Sequence, residues 1–507
     1  MPDKFDIDLA SIQEARNLAT ASREAQRAFA KATQAEVDRI CEAMAEAAYA
    51  EAERLGRMAY EETGFGVAAH KTIKNQFASR SVWQSIKEVQ TVGVIQRDPD
   101  RQVIEFAWPF GVIAALIPST NPTSTAFCKG IMAIKARNGV IFSPHPAARK
   151  STYEAARVMM EAGEKAGMPK GLMGCLSILS LPGTQELMGH WATNLILATG
   201  GPGMVKAAHS VGKPAIGVGP GNVPVYVDRS ADIANAARCI VNSKSFDCSV
   251  ICSTEQSIVA DQPIAQALRE ALRENGAYFL SAEQKAAVSK ALFFPDGNIN
   301  AKSVGKTPQA IARMAGIEVP GWARVLIADL GAVGKEEPLS REKLTTVLGF
   351  YIEDGWHAGC ERCIQLLRFG GDGHSLCIHC RDEEIILAFG LEKPAFRILV
   401  NTWSSLGAVG ATTALAPSFT LAPGGLGGTV VSDNITVQHL FNIKRLAYGI
   451  KDAPIEAYSL APDVTAEAPA SGLAASSTAA NGQNGTHNSA EIESIIRRVV
   501  AELQRTG

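Results

Sequence analysis

Residues 245–256 read Ser-Phe-Asp-Cys-Ser-Val-Ile-Cys-Ser-Thr-Glu-Gln and set Cys252 between an apolar run and a polar strand-to-loop transition. A thiolate there would add to a carbonyl carbon, and the thiohemiacetal formed can give up hydride to become a thioester. The alternative is a buried cysteine that packs as a small hydrophobe. Asn121, in Pro-Ser-Thr-Asn-Pro-Thr-Ser-Thr over residues 118–125, follows an apolar strand-like run and precedes a helical one. Its side chain either caps that helix or turns its amide toward a developing oxyanion.

Three glycine-rich segments follow predicted strands. In Thr199-Gly200-Gly201-Pro202-Gly203-Met204-Val205, free N–H groups at a helix start could face a phosphate or a nicotinamide ribose. The run lacks the spaced dinucleotide fingerprint, so a turn without ligand is the competing reading. Residues 217–222 form a second such loop. Residues 423–428 form a third, where small residues would let a backbone approach a ligand. Cys360/Cys363 and Cys377/Cys380, with His374 and His379 nearby, have zinc-ribbon spacing. Residues 359–369 read as a helix and 375–379 as a strand, in which positions three apart face opposite sides. We therefore expect core thiols and no metal.

These candidates need elements to hold them. Residues from about 8 to 60 are rich in Ala, Glu and Arg with helical periodicity, enough for two or three helices before Thr63-Gly64-Phe65-Gly66 breaks the pattern. Residues 90–98 and 101–108 read as paired strands around an Asp-Pro-Asp turn. Beyond Gly111, short apolar runs at 112–117, 139–142, 175–179, 195–198 and 223–227 alternate with Ala-rich helical segments, which argues for a parallel sheet covered on both faces. A second strand–helix series from Gln256 to about Leu421 gives two α/β domains.

With 507 residues, 46% of them hydrophobic, the chain has core for two or three domains. A net charge of −2 offers no electrostatic case for nucleic acid or an anionic membrane. No run nears the roughly 18 apolar residues of a spanning helix. The start, Met1-Pro2-Asp3-Lys4-Phe5-Asp6, has no apolar signal core, so the ten cysteines are expected as reduced thiols of a cytoplasmic protein. Residues 454–488 are mostly Ala, Ser, Pro, Gly, Asn and Thr and read as a flexible linker. In 489–507, Ile492, Ile495, Ile496, Val499, Val500 and Leu503 share one helical face. So short a helix needs a partner, either its own globular body or another protein.

Taken together, these motifs resemble the coenzyme A-acylating aldehyde dehydrogenases, above all the aldehyde dehydrogenase half of the bifunctional aldehyde-alcohol dehydrogenases. The resemblance is carried by Glu61-Glu-Thr-Gly-Phe-Gly66, Ile117-Pro-Ser-Thr-Asn-Pro-Thr-Ser-Thr125, His145-Pro146, Ala198-Thr-Gly-Gly-Pro-Gly-Met-Val-Lys-Ala207, Gly212-Lys-Pro-Ala-Ile-Gly217, Ile251-Cys252, Glu342-Lys-Leu344 and Gly373-His374. It implies an α/β aldehyde dehydrogenase fold: a Rossmann-like nucleotide-binding domain over 1–245 with an oligomerisation hairpin near 90–108, an α/β catalytic domain over 246–425, and a return segment and oligomerisation arm over 426–453. It implies Cys252 as nucleophile, with Asn121 and the Cys252 backbone N–H as oxyanion hole. Thr199, Gly200, Gly201 and Gly203 match the loop beside the nicotinamide. Ser143 and His145 match the strand end near the adenosine ribose, and Ile117, Pro118 and Gly219 join the same NAD site. Glu342 and His374 match active-site positions.

The implied reaction takes propionaldehyde or acetaldehyde, NAD and coenzyme A (CoA) to acyl-CoA and NADH, in a homodimer or homotetramer. Hydrolytic relatives carry a glutamate in the run matching 217–222 that activates water. Here the run is Gly-Val-Gly-Pro-Gly-Asn, which favours a thiol acceptor. Cys248, Ser249 and Trp108 depart from the family pattern and put the substrate in question. The tail resembles the encapsulation peptides of bacterial microcompartment cargo, which implies a shell-protein partner for the C-terminal helix and a place inside a microcompartment. The rival readings are an acylating sulfoacetaldehyde dehydrogenase, a hydrolytic aldehyde dehydrogenase and an inactive shell-binding scaffold.

Overall fold

Local signals shape the first helices of the chain, whose residues 6–452 are described by a computed structural model. Asp6 caps α1 (Ile7–Phe29) by accepting the Leu9 N–H, and Thr33 and Glu36 close a capping box on α2 (Gln34–Ala50). Gly64, at φ 65°, ends α3 (Ala52–Thr63) in the left-handed region that favours glycine. A fourth helix, α4 (Ala68–Gln76), runs through a π turn at Phe77–Ser81 into α5 (Val82–Ile86). The linker and helix expected at 454–507 lie outside the described residues.

The expected hairpin forms from β1 (Val94–Asp98) and β2 (Val103–Pro109), paired antiparallel. Next come β3 (Val112–Ile117), β4 (Gly139–Pro144), β5 (Met173–Cys175), β6 (Thr193–Thr199) and β7 (Ala215–Val218), a parallel sheet in the order β5-β4-β3-β6-β7. A parallel seven-stranded sheet follows from β8 (Val223–Val227), β9 (Glu255–Asp261), β10 (Ala277–Phe279), β11 (Val325–Asp329), β12 (Val347–Glu353), β13 (Leu376–His379) and β14 (Ile398–Val400), in the order β10-β11-β12-β9-β8-β13-β14. Finally β15 (Phe441–Ala447) returns to pair with β2.

Alternation along the strands explains why both sheets are covered twice. Ile113, Ala115 and Ile117 pack with Phe142 against α2 and α6 (Pro122–Lys135), while Val112, Ala114 and Leu116 pack with Ile196 against α1. In the larger sheet Val225 and Val227 face one core, and Tyr226 the other.

Two sequence expectations need correction. The run 175–179 is strand only to Cys175. Glu14 of α1 then accepts the N–H groups of Ser177 and Ile178 at 3.1 and 2.8 Å, so a carboxylate replaces the sheet ladder there. The run 223–227, placed in the nucleotide-binding half, pairs instead with β9 and β13. The division between the sheets therefore falls in residues 219–222, well before residue 245.

Candidate active site

Strand order places the site. From β3 the chain goes to β4 and β5 on one side, then crosses to β6 and β7 on the other, so loops leave β3 and β6 in opposite directions at their carboxyl ends. A cavity of about 590 Å³ opens there. Its walls include Asn121 after β3, Gly200 and Gly201 after β6, and Cys252 and Glu342 from the segments around the second sheet.

Cys252 precedes β9, after a strained turn in which Asp247, Cys248 and Ser249 have φ of 47°, 50° and 68°. It is partly exposed, whereas the other nine cysteines are buried. Only Cys252 among the ten thus lines the cavity. Burial pushes its thiol up to about 12, Glu342 adds to that, and the Arg397 guanidinium opposes it. A neighbouring base must therefore take its proton at neutral pH.

Asn121 occupies the N-cap position of α6, but its side chain makes no cap bond. Its Nδ2 donates to the Val250 carbonyl at 2.9 Å, two residues before Cys252, and to Thr120 Oγ1 at 3.2 Å. The capping reading therefore fails. Pro122, the first residue of the helix, has no N–H to be capped.

Glu342, which the resemblance matches to an active-site position, lines the cavity. Residues 217–222 carry no carboxylate, yet Glu342 Oε1 accepts the Gly221 N–H at 3.0 Å. Burial raises this carboxyl to about 7, against the Gly221 bond and the charges of Lys244 and Lys343. A carboxylate near that loop is thus supplied from 121 residues away, which local sequence does not reveal.

His374 is not among the cavity-lining residues. It is buried behind Gly221, with Nδ1 3.0 Å from Ser375 Oγ and Nε2 without a partner. Burial, then Arg397, brings its imidazole down to about 3, so it is neutral.

Ile117, Pro118, Ser143, His145, Thr199, Gly200, Gly201 and Gly219 all line the cavity. Gly203 does not, lying in the first turn of helix Pro202–His209. Three observations fit a dinucleotide here. Thr199 Oγ1 is buried without a partner. A Cβ added at Gly201 or Gly219 would meet nothing within 4 Å. The helix at Pro202 begins without a side-chain cap, and with Pro202 lacking an N–H and Met204 and Val205 bonded to the Gly201 carbonyl, the Gly203 N–H is the first-turn donor left for an anion. The third glycine loop differs: residues 423–428 do not line the cavity, and Gly424 and Gly427 are small because Phe396 and Pro423 press on them.

The cysteine quartet lies in the core, with Cys360, Cys363 and Cys380 on one face of the large sheet and Cys377 on the other. Among the described residues, no group of three His, Cys, Asp or Glu side chains could hold a metal ion. Sequence reasoning missed four buried or largely buried charges near the site: Lys71, Lys74, Asp247 and Arg397. The first two share a helical stripe, a signal that was legible. Nothing local marks Arg397.

Comparison with known proteins agrees with this geometry. Residues 5–280 match the pattern of the aldehyde dehydrogenase family. The bifunctional aldehyde-alcohol dehydrogenase AdhE of Escherichia coli (strain K12) is 40% identical over 442 residues, 86% of this chain and 50% of that one. The chain thus spans about half the length of that relative. Among solved structures, an acetylating aldehyde dehydrogenase from Geobacillus thermoglucosidasius is 51% identical with a TM-score of 0.88, covering 89% of this chain and 100% of that one. A propionaldehyde dehydrogenase from the Clostridium phytofermentans fucose utilisation bacterial microcompartment is 31% identical with a TM-score of 0.77, covering 85% and 96%. The chain belongs to the aldehyde dehydrogenase family.

Proposed function

We propose that this enzyme oxidises a short neutral aliphatic aldehyde, propionaldehyde or acetaldehyde, to its acyl-CoA, with NAD as cofactor and CoA as acyl acceptor. One observation carries the reading: the sole cavity-lining thiol, Cys252, shares that cavity with Asn121 and Glu342, and among the described residues no lysine or arginine lines it. Cys252 Sγ adds to the carbonyl carbon, and Glu342, with a pKa of about 7, takes the thiol proton. The Asn121 amide and the Cys252 backbone N–H steady the oxyanion. Ser143, His145, Thr199, Gly200, Gly201 and Gly219, with Ile117 and Pro118 beside them, would hold NAD, which would supply the hydride acceptor. The thioester left on Cys252 is then displaced by the CoA thiol. Glu342, having released its first proton to solvent, accepts the proton of the CoA thiol.

The missing cations narrow the choice of ligands. A sulfonate such as that of sulfoacetaldehyde, or the 2′-phosphate of NADP, needs a cationic partner once removed from water. The lining offers none. Rates with propionaldehyde, acetaldehyde and sulfoacetaldehyde, each with CoA and with NAD or NADP, test this. We expect the two neutral aldehydes with NAD to lead, and a preference for sulfoacetaldehyde would overturn the assignment. A hydrolytic second reading is favoured by Glu342, a base that could serve water as well as a thiol.

The homologue from a microcompartment and the tail sequence support a role as cytoplasmic microcompartment cargo, docked on a shell protein through residues 489–507. Deleting residues 454–507 should leave activity intact and abolish packing; co-purification of the truncated enzyme with shells would refute the targeting role. Among the described residues, no helix is long and apolar enough to cross a membrane. As the edge of its sheet, β15 exposes Ile443 and Leu446, which supports a homodimer or homotetramer.

A further inference from the structure

Helix α4 presents a buried charged face that the reaction scheme does not use. Val67, His70, Lys71 and Lys74 stand at i, i+3, i+4 and i+7, one stripe of the helix and its N-cap. Each contacts the loops that carry Asn121 or Cys252. The Val67 N–H donates to Asp247 Oδ1 at 2.7 Å, and His70 Nδ1 accepts the Asp247 N–H at 2.9 Å. Lys71 Nζ donates to Asp247 Oδ2 at 3.2 Å and to the Thr120 carbonyl at 3.1 Å. Lys74 Nζ pairs with Asp247 Oδ2 and donates to Asn121 Oδ1 at 2.5 Å. The His70 ring stacks on Phe246 at 4.8 Å, which ties the same helix to the start of the strained turn.

Stability alone does not explain this cluster. Lys71 and Lys74 are each 2% exposed and Asp247 is 0% exposed, so two ammonium groups share one carboxylate out of reach of water. Apolar side chains of similar volume would cost less desolvation. The cluster does, however, decide a direction. A lysine ammonium has three donors and no acceptor. The Asn121 atom that faces Lys74 must therefore be its oxygen, and its NH₂ is turned toward the Val250 carbonyl and the Cys252 segment. Turned over, the amide would present its oxygen to the developing oxyanion and repel it.

We propose that Lys74 is a positioning residue that fixes the orientation of the Asn121 amide, while Asp247, shared with Lys71, clamps Lys74 and the strained turn before Cys252 in register. The proposal rests on the reading of Cys252 as nucleophile and Asn121 as oxyanion donor. Its test is a double-mutant cycle on aldehyde-dependent NADH formation, with Lys74→Met and Asn121→Ala alone and combined, and with Lys74→Arg as the conservative variant.

Wild-type turnover tests the functional reading first; without it, that reading fails and the positioning role with it. Given turnover, we expect Lys74→Met to lower kcat about 10²-fold, the scale of losing one oxyanion donor, with the aldehyde KM within about threefold. On the Asn121→Ala background it should cost under about threefold, because the residue through which it acts is gone. Lys74→Arg, which keeps a donor, should recover most of kcat. Equal losses on both backgrounds, or wild-type kcat in Lys74→Met, would overturn the proposal. Lys74→Met leaves Lys71 paired one-to-one with Asp247; if it does not fold, Lys74→Ala, which keeps that pair and leaves room for water, enters the same cycle with the same two outcomes.

Discussion

Glu342 accepts the backbone N–H of Gly221 at 3.0 Å, and that contact brings a carboxylate into a site whose own loops lack one. The contact needs Gly221 to be bare. A methyl group there would overlap the Cys252 carbonyl oxygen and lie 3.0 Å from His374 Nδ1. Gly221 thus sets how closely the nucleophile segment, the carboxylate and the histidine can approach one another.

Gly221→Ala should therefore damage both catalysis and packing, because the added methyl meets a backbone oxygen. We expect kcat to fall at least about 10²-fold, because displacing reacting groups by an ångström costs that much. A lowered thermal midpoint is the accompanying expectation, since the Cys252 backbone must shift to make room. Wild-type turnover in this variant would show that the close approach does not matter.

The buried Glu342 carboxyl predicts an inverted pH dependence of stability. Its folded pKa, about 7 against an ordinary 4.5, means that the native state holds the proton more tightly than the unfolded chain. Its stabilising contribution is complete below the unfolded value, is lost as pH rises toward 7, and is flat above that. The shift corresponds to about 3 kcal/mol. Glu342→Gln keeps an acceptor for Gly221 and removes the titration. Urea midpoints at pH 5 and pH 8 should show the variant gaining on the wild type at the higher pH. The variant should also lose the rise in kcat through neutrality.

Asn121→Ala removes the amide proposed as oxyanion donor, and kcat should fall by about 10²- to 10³-fold. The helix it precedes should be little affected, since its side chain makes no cap bond. A shift in thermal midpoint without a kcat effect would restore the capping role instead.

The short apolar strands and the hairpin at 90–108 were readable because each rests on a local pattern, and the local run made Cys252 a candidate without deciding its role. What the sequence hid depended on distance along the chain. The pattern of 223–227 looks like any buried strand, and only pairing with β9 and β13 reveals its sheet. Likewise, Arg397 is an ordinary residue until the fold sets it near Cys252, and Glu342, which only the family resemblance marked, meets its partner Gly221 from 121 residues away. Lys71 and Lys74 were legible as a stripe, but their carboxylate partner Asp247 lies 176 residues away from Lys71. For Cys248, buried one position into the strained turn, the structure offers no role beyond packing.

The central claim is that an acyl group waits on Cys252 for a thiol. Rapid-mixing measurement of NADH with propionaldehyde and NAD, with and without CoA, tests it directly. We predict a burst of one NADH per active site that stalls without CoA, continues as steady turnover when CoA is added, and is absent from Cys252→Ala. Steady turnover without CoA, or a burst from Cys252→Ala, would contradict the account.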